Sequence, residues 1–384
     1  MATLLSLIYL AYIGLGLPHS LFGAAWPAIS ADLGVAVDGA NYISILISGA
    51  TIVSSMFGAK LAKRFGTGIV IATCATVAAL ALLGFSFSQS ILLMCVFAIP
   101  LGFSAGATDS SLNHFAALHF SARHMNFLHC FYGIGVLTSP YILAAMLKKS
   151  SWQAGYLIVF GLQAIVAVIL LSSIPLWKKK EAPISQEAEK RKNSVPLAVL
   201  IKKPQLWLNW IMCISANAIE GVVGIWGSMY LALSRGFDEA SAAAGITCFY
   251  TGIALGRFLS GVISSRFEEK KLLAFGTAVM LFGIGVMFLP GTAAALCALF
   301  LVGLGNGPVH PNILHLTPAC FDAESADSVM GTQMAAAYFG IMAAPPVFGW
   351  LVTLVSATLF PVYLALWLVL FLVSALFFFR NIHR

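Results

Sequence analysis

The chain has 384 residues, 60% of them hydrophobic and only 9% charged, with a mean hydropathy of +0.94. Soluble domains carry about a quarter charged residues, so the composition excludes an ordinary soluble enzyme or binding module. The net charge of +7 is split among short loops, which argues against a nucleic-acid-binding surface.

Apolar runs of about twenty residues recur along the whole length, each long enough to cross a bilayer core. They predict twelve spans, at 3–29, 40–60, 67–86, 91–119, 125–147, 152–176, 206–233, 240–263, 272–290, 293–319, 329–353 and 359–379. A β-barrel would need short alternating strands instead. The expected fold is an all-α membrane protein with twelve transmembrane helices in two pseudo-symmetric six-helix halves.

The N-terminus has no basic n-region and no clear small-residue cleavage site, so span 1 reads as retained. It carries Tyr12, Gly16, His19, Gly23 and Trp26 on one stripe, with Pro18 before the histidine. Span 2 is followed by "AKLAKRFG" at 59–66, containing Lys63, Arg64 and Gly66. Span 4 places Asp109 and Asn113 on a stripe with Gly102 and Gly106, and span 5 contributes His129. The basic segment 177–205 then divides the chain into an N-terminal half, 1–176, and a C-terminal half, 206–384. Such a central loop between six-helix halves fits a parallel repeat.

Span 7 carries Cys213, Asn217, Glu220, Gly224 and Gly227 on one stripe, with Trp226 beside it. Arg257 lies in span 8, near its cytoplasmic end, and Arg266 in the loop that follows. Span 10 holds Asn306, His310 and Asn312, interrupted by Pro308, Pro311 and Pro318, and span 11 holds Gln333 and Tyr338. Each proline removes a backbone donor and marks a bend point. The seven cysteines show no metal-ligand spacing and read as small buried hydrophobes, so no metal site is expected.

The repeat is visible in the sequence. "AKLAKRFG" at 59–66 matches "GVISSRFE" at 261–268, an offset of 202, and 101–120 matches 302–321 at an offset of 201. Asp109 then corresponds to His310. With both termini inside, seventeen lysines and arginines fall in cytoplasmic loops and three (Lys148, Lys149 and Arg235) outside, the asymmetry of the positive-inside rule.

Asp109 and Glu220 are the two acids within spans. A charge at the bilayer centre costs about 2.5–3.5 kcal/mol on insertion scales, so each needs a cavity or a partner. Together with His19 and His310 they occupy the first and fourth spans of each half. Four such stripes can line a polar pathway, with these groups binding the coupling proton. Sodium is the other candidate ion, since carboxylate and amide oxygens bind it. No cofactor is expected. Asn113, Asn217, Asn306, Asn312, Gln333, Tyr12, Trp26, Trp226, Tyr338 and His129 are the candidate solute-binding groups, because amides and aromatic rings suit a polyhydroxylated ligand. Each feature has a structural alternative: glycine stripes pack helices, and intramembrane charges pair with each other.

These residues resemble the major facilitator superfamily. "AKLAKRFG" looks like its G-x-L-x-D-R-x-G loop motif, with Ala59 replacing the first glycine and Lys63 the aspartate; Lys63, Arg64, Gly66, Arg257 and Arg266 are the candidate gating group. Within the superfamily, "GFSAGATDSSLN", "FLHCFYGIGVLTSP", "ANAIEGVVGIWGSMYL" and "GLGNGPVHPNILHLTP" are similar to the fucose–galactose–glucose:proton symporter family. The resemblance implies a monomeric carrier in the bacterial cell membrane that takes up a sugar or sugar-like solute with protons, by alternating access. His19 stands where that family can have an acid, and His310 where relatives usually have an aromatic. The alternative is a drug or metabolite:proton antiporter. The span-5 G-x-x-x-G-P pattern and span-4 arginine of drug exporters are missing, and no clustered motif suggests an enzyme. A solute sensor with the same cavity is a further alternative.

Overall fold

The computed structural model describes residues 2–120, 122–178, 197–263, 266–321 and 323–382, and every described element is helical. Most of the basic central segment (179–196) lies outside the described residues, as does the side chain of His129.

Span 1 is two helices, α1 (Ala2–Gly16) and α2 (Leu21–Leu33). Pro18 has no N–H to continue the ladder, and the His19 amide turns back to Gly16 O at 3.1 Å. Then come α3 (Ala40–Phe65), α4 (Thr67–Ser86), α5 (Ile91–His119), α6 (Ala122–Lys149) and α7 (Trp152–Lys178). A single turn, α8 (Leu197–Leu200), precedes α9 (Pro204–Arg235), α10 (Glu239–Ile263) and α11 (Glu269–Val286). Span 10 is again divided, into α12 (Thr292–Asn306) and α13 (Val309–Cys320), at Gly307 and Pro308. The chain ends with α14 (Ala323–Leu354) and α15 (Phe360–Ile382).

Eleven described segments are long and apolar enough to cross a membrane. The remaining expected span, 272–290, is α11, which opens on Glu269, Lys270 and Lys271; those charges keep it outside that measure. The cysteines differ from expectation. Cys74 and Cys213 are buried, but Cys130 and Cys297 are exposed on α6 and α12. In a spanning helix the outer face meets lipid, where a thiol needs no burial.

Two compact units emerge: Met1–Pro183 with Gly224–Thr247, and Ile184–Val223 with Cys248–Arg384. In the first, glycines let backbones touch. A methyl group added at Gly102 would meet the carbonyl of Ile47, and one at Gly106 that of Thr51, so α5 lies directly on α3. Thr51 Oγ1 donates to Gly102 O at 3.1 Å, and Ser111 Oγ to Gly58 O at 3.0 Å. Gly135 of α6 presses on Ile13 and Leu17. Ser20 Oγ donates to Val136 O at 2.6 Å across the same pair of elements. Gly23 of α2 abuts the backbone of Gly224, and the Ser228 hydroxyl donates to Gly23 O.

The second unit repeats these contacts. Gly303 presses on Phe249 and Gly307 on Ile253, while Gly340 presses on Ile214 and Ala218. Ile47 and Phe249 are 202 positions apart, and so are Thr51 and Ile253. Gly102 and Gly303 are 201 apart, as are Gly106 and Gly307. The offsets read from the sequence are therefore the offsets at which the same helix pairs touch. This also corrects part of the stripe reading: the glycines of spans 4 and 10 are closed against the second helix of their own half, and line nothing.

Candidate functional site

Among the described residues, each unit carries a polar cluster centred on its first and fourth spans. In the first unit, Tyr12 of α1 donates its hydroxyl to Asn113 Oδ1 at 2.9 Å. Asn113 Nδ2 donates to Asp109 Oδ1, also at 2.9 Å. Asp109 and Asn113 share a face of α5 because they are four residues apart. Tyr12 is buried, whereas Asp109 and Asn113 are half-buried.

In the second unit, Arg257 Nη2 of α10 lies 3.4 Å from Glu220 Oε2 near the middle of α9. Asn306 Nδ2, at the end of α12, reaches the same oxygen at 3.5 Å. One turn along α9, Asn217 Nδ2 lies 3.1 Å from His310 Nδ1 and donates to Cys213 O at 2.8 Å. Breaking span 10 at Pro308 sets Asn306 and His310 at the adjoining ends of two helices.

The remaining expected residues fall into three groups. Gln333 is fully buried and donates to Asn209 Oδ1 at 2.8 Å and Thr317 Oγ1 at 2.7 Å. Asn312 bonds Ser260 Oγ at 3.2 Å and Pro308 O at 2.7 Å. Both amides cross-link helices. Trp26 and Trp226 are completely enclosed, and the Trp26 indole donates to Val37 O at 2.7 Å. That closes off Trp26 as a stacking surface in this conformation. Tyr338 is half-buried. His19 is exposed in the α1–α2 break, with its ring edge-on to Tyr132 at 5.6 Å. It stands 201 positions before Glu220, the offset of the repeat.

Lys63, Arg64 and Arg266 are exposed at helix ends. Arg64 stacks on the Phe65 ring at 5.2 Å. Gly66 has φ +93°, a region that favours glycine, and so permits the sharp turn between α3 and α4. Arg257 departs from this group. From the sequence it sits with the loop residues near a helix end, yet its long side chain reaches back to Glu220. The signal was present: it is the one arginine within the expected spans, and an intramembrane cation requires a counter-charge.

The family model of the Major Facilitator Superfamily matches residues 8–332 and 221–384. The chain belongs to the major facilitator superfamily. The glucose/mannose transporter GlcP of Bacillus subtilis is 20% identical over 357 residues, covering 89% of this chain and 86% of the relative. A putative glucose/galactose transporter of Helicobacter pylori is 27% identical over 36% of this chain and 34% of its own length. Among solved structures, the nucleoside transporter NupG superposes with a TM-score of 0.75 at 14% identity, covering 99% of both chains. That likeness establishes the superfamily fold. The protein is an integral membrane transporter, and not an enzyme.

Proposed function

We propose that the chain is a secondary active symporter that carries a small polar solute of the sugar class with protons, by alternating access. The observation behind this reading is an ionisable cluster in each unit on its first and fourth spans: Asp109 with Asn113 and Tyr12, and Glu220 with Asn306, which Arg257 joins from α10. Relatives named as glucose/mannose and glucose/galactose transporters support the solute class. Within the second unit, the amides at 217 and 306 are groups with which a polyhydroxylated ligand would bond. The proton is the proposed coupling ion, and no resident cofactor is invoked. The distribution of lysine and arginine supports a cell-membrane carrier with both termini cytoplasmic; a monomer is what the resemblance to the symporter family implies.

The test is proton movement in proteoliposomes. Purified protein, wild type and Asp109→Asn, is challenged with hexoses, their acids and other small polar solutes while a dye reports internal pH. Solute-dependent acidification that the variant loses supports symport with Asp109 in coupling. Acidification that persists moves coupling to Glu220 or the histidines. Movement driven by a sodium gradient alone would replace the ion. Silence to every polar solute, with proton efflux on adding lipophilic cations, would favour the antiporter.

A further inference from the structure

We propose that the solute carries a carboxylate, as a sugar acid does, and that Arg257 receives it once Glu220 is protonated. This rests on the symport reading above and specifies its substrate class.

The argument starts from how poorly the ion pair is made. A guanidinium offers five N–H donors and binds carboxylates best through two parallel bonds. Arg257 makes one contact to Glu220, at the long distance of 3.4 Å. Its Nε is buried without a partner, and so is Oδ1 of Asn306, a residue only 4% exposed. A single long contact is poor geometry for a pair whose task is to hold helices together, because a buried ion pair stabilises only with good geometry and complete hydrogen bonding. The side chains are also reachable, 24% exposed for Arg257 and 16% for Glu220. With Nε enclosed, it is the accessible terminal nitrogens of Arg257 that a second carboxylate could meet once Glu220 no longer holds them.

The neighbours leave the exchange to these two charges. Tyr250 is on α10, Asn306 on α12, and His310 on α13 is bound through Asn217. From α14, the backbone of Ile341 meets Gly221 of α9. Arg257 is the one cation that contacts Glu220 among the described residues.

Charge balances at each stage. In the empty site the Glu220 carboxylate neutralises Arg257. A proton added to Glu220 leaves the guanidinium uncompensated, and the solute carboxylate then neutralises it. On release Glu220 loses its proton, pairs with Arg257 again and displaces the anion; no bond of the solute changes. Proton alone or anion alone leaves a net charge in a region of low dielectric, which is costly. The two therefore bind and leave together.

The experiment uses labelled glucuronate, galacturonate and gluconate beside glucose and galactose, in proteoliposomes of wild type, Glu220→Gln, Arg257→Gln and Arg257→Lys. Wild type is expected to accumulate at least one acid with proton uptake and to ignore the neutral sugars. Glu220→Gln should keep exchange of preloaded acid but lose accumulation driven by a pH gradient. Arg257→Gln should lower both about 100-fold, the order for a truncated buried charge contact, with Arg257→Lys in between. If Arg257→Gln does not fold, the wild-type preference and the Glu220→Gln split decide alone. Proton-coupled uptake of neutral hexoses in preference to their acids would overturn the carboxylate inference and leave symport standing. Absence of solute-dependent proton movement with both sets would overturn both.

Discussion

Tyr12 and Asn113, 101 positions apart, are joined by a 2.9 Å bond from the phenol to the amide oxygen. That bond fixes the amide: its oxygen faces Tyr12, so its nitrogen faces Asp109. Tyr12 is buried at 1% exposure, leaving little room for water to replace it. Tyr12→Phe should therefore strand an acceptor at a cost of about 1–3 kcal/mol and let the Asn113 amide turn. Uptake is expected to fall by roughly tenfold, the equivalent of about 1.4 kcal/mol, with the folded protein still recovered. Unchanged uptake in this variant would show that the bond does not position Asp109.

Gly303 leaves no room for a side chain, because the first added carbon would run into the carbonyl of Phe249. Gly303→Ala, and Gly102→Ala at the equivalent place, should each cost about 1–3 kcal/mol through overpacking. Gly261, with open space around its α-carbon, serves as the control. Thermal unfolding in detergent should show both packing variants melting early and Gly261→Ala near wild type. Equal melting of all three would refute the close approach.

How much of this was legible beforehand depends on what each residue type requires. The spans follow from bilayer thickness, and the repeat from two matches whose offsets also relate the packed glycine pairs. Pro18 and Pro308 were readable as breaks, since a missing N–H is a property of the residue alone. The destination of Arg257 was not, because a long flexible side chain can reach several helix levels and only its counter-charge chooses among them. Trp26 was misleading for a related reason. Its type fits ring stacking and core packing equally, and the carbonyl of Val37 that absorbs its N–H is created by the fold.

Asp238 gives a test outside the membrane. It precedes α10 and accepts from the Ser241 amide at 2.9 Å and from the Ser241 hydroxyl at 2.7 Å. Those bonds, the hydroxyl's first, hold its carboxyl below the usual carboxylate range. A depressed folded-state pKa means stabilisation that is complete above the unfolded value, near 3.9, and lost as pH falls through the folded one. Asp238→Ala should cost about 1 kcal/mol at neutral pH, the usual worth of an N-cap. Its difference from wild type in unfolding temperature should shrink below about pH 4. A difference that stays constant with pH would mean that the carboxylate charge plays no part in the cap.

The Glu220–Arg257 pair separates folding from transport. Removing one member of a buried pair leaves the other uncompensated, at a cost of about 3–5 kcal/mol, whereas replacing both is often neutral. Partial exposure of both side chains lowers that cost here. Arg257→Gln should therefore express less and melt earlier than wild type, and Glu220→Gln somewhat less so. The double variant should regain most of the lost stability, because neither charge remains to be neutralised. Transport should not return with it, since a site without Arg257 has no cation for the solute and one without Glu220 has no carboxylate for the proton. Melting temperatures and uptake measured on all four proteins complete the cycle. Stability losses that simply add in the double variant would show that the two residues do not act as a pair.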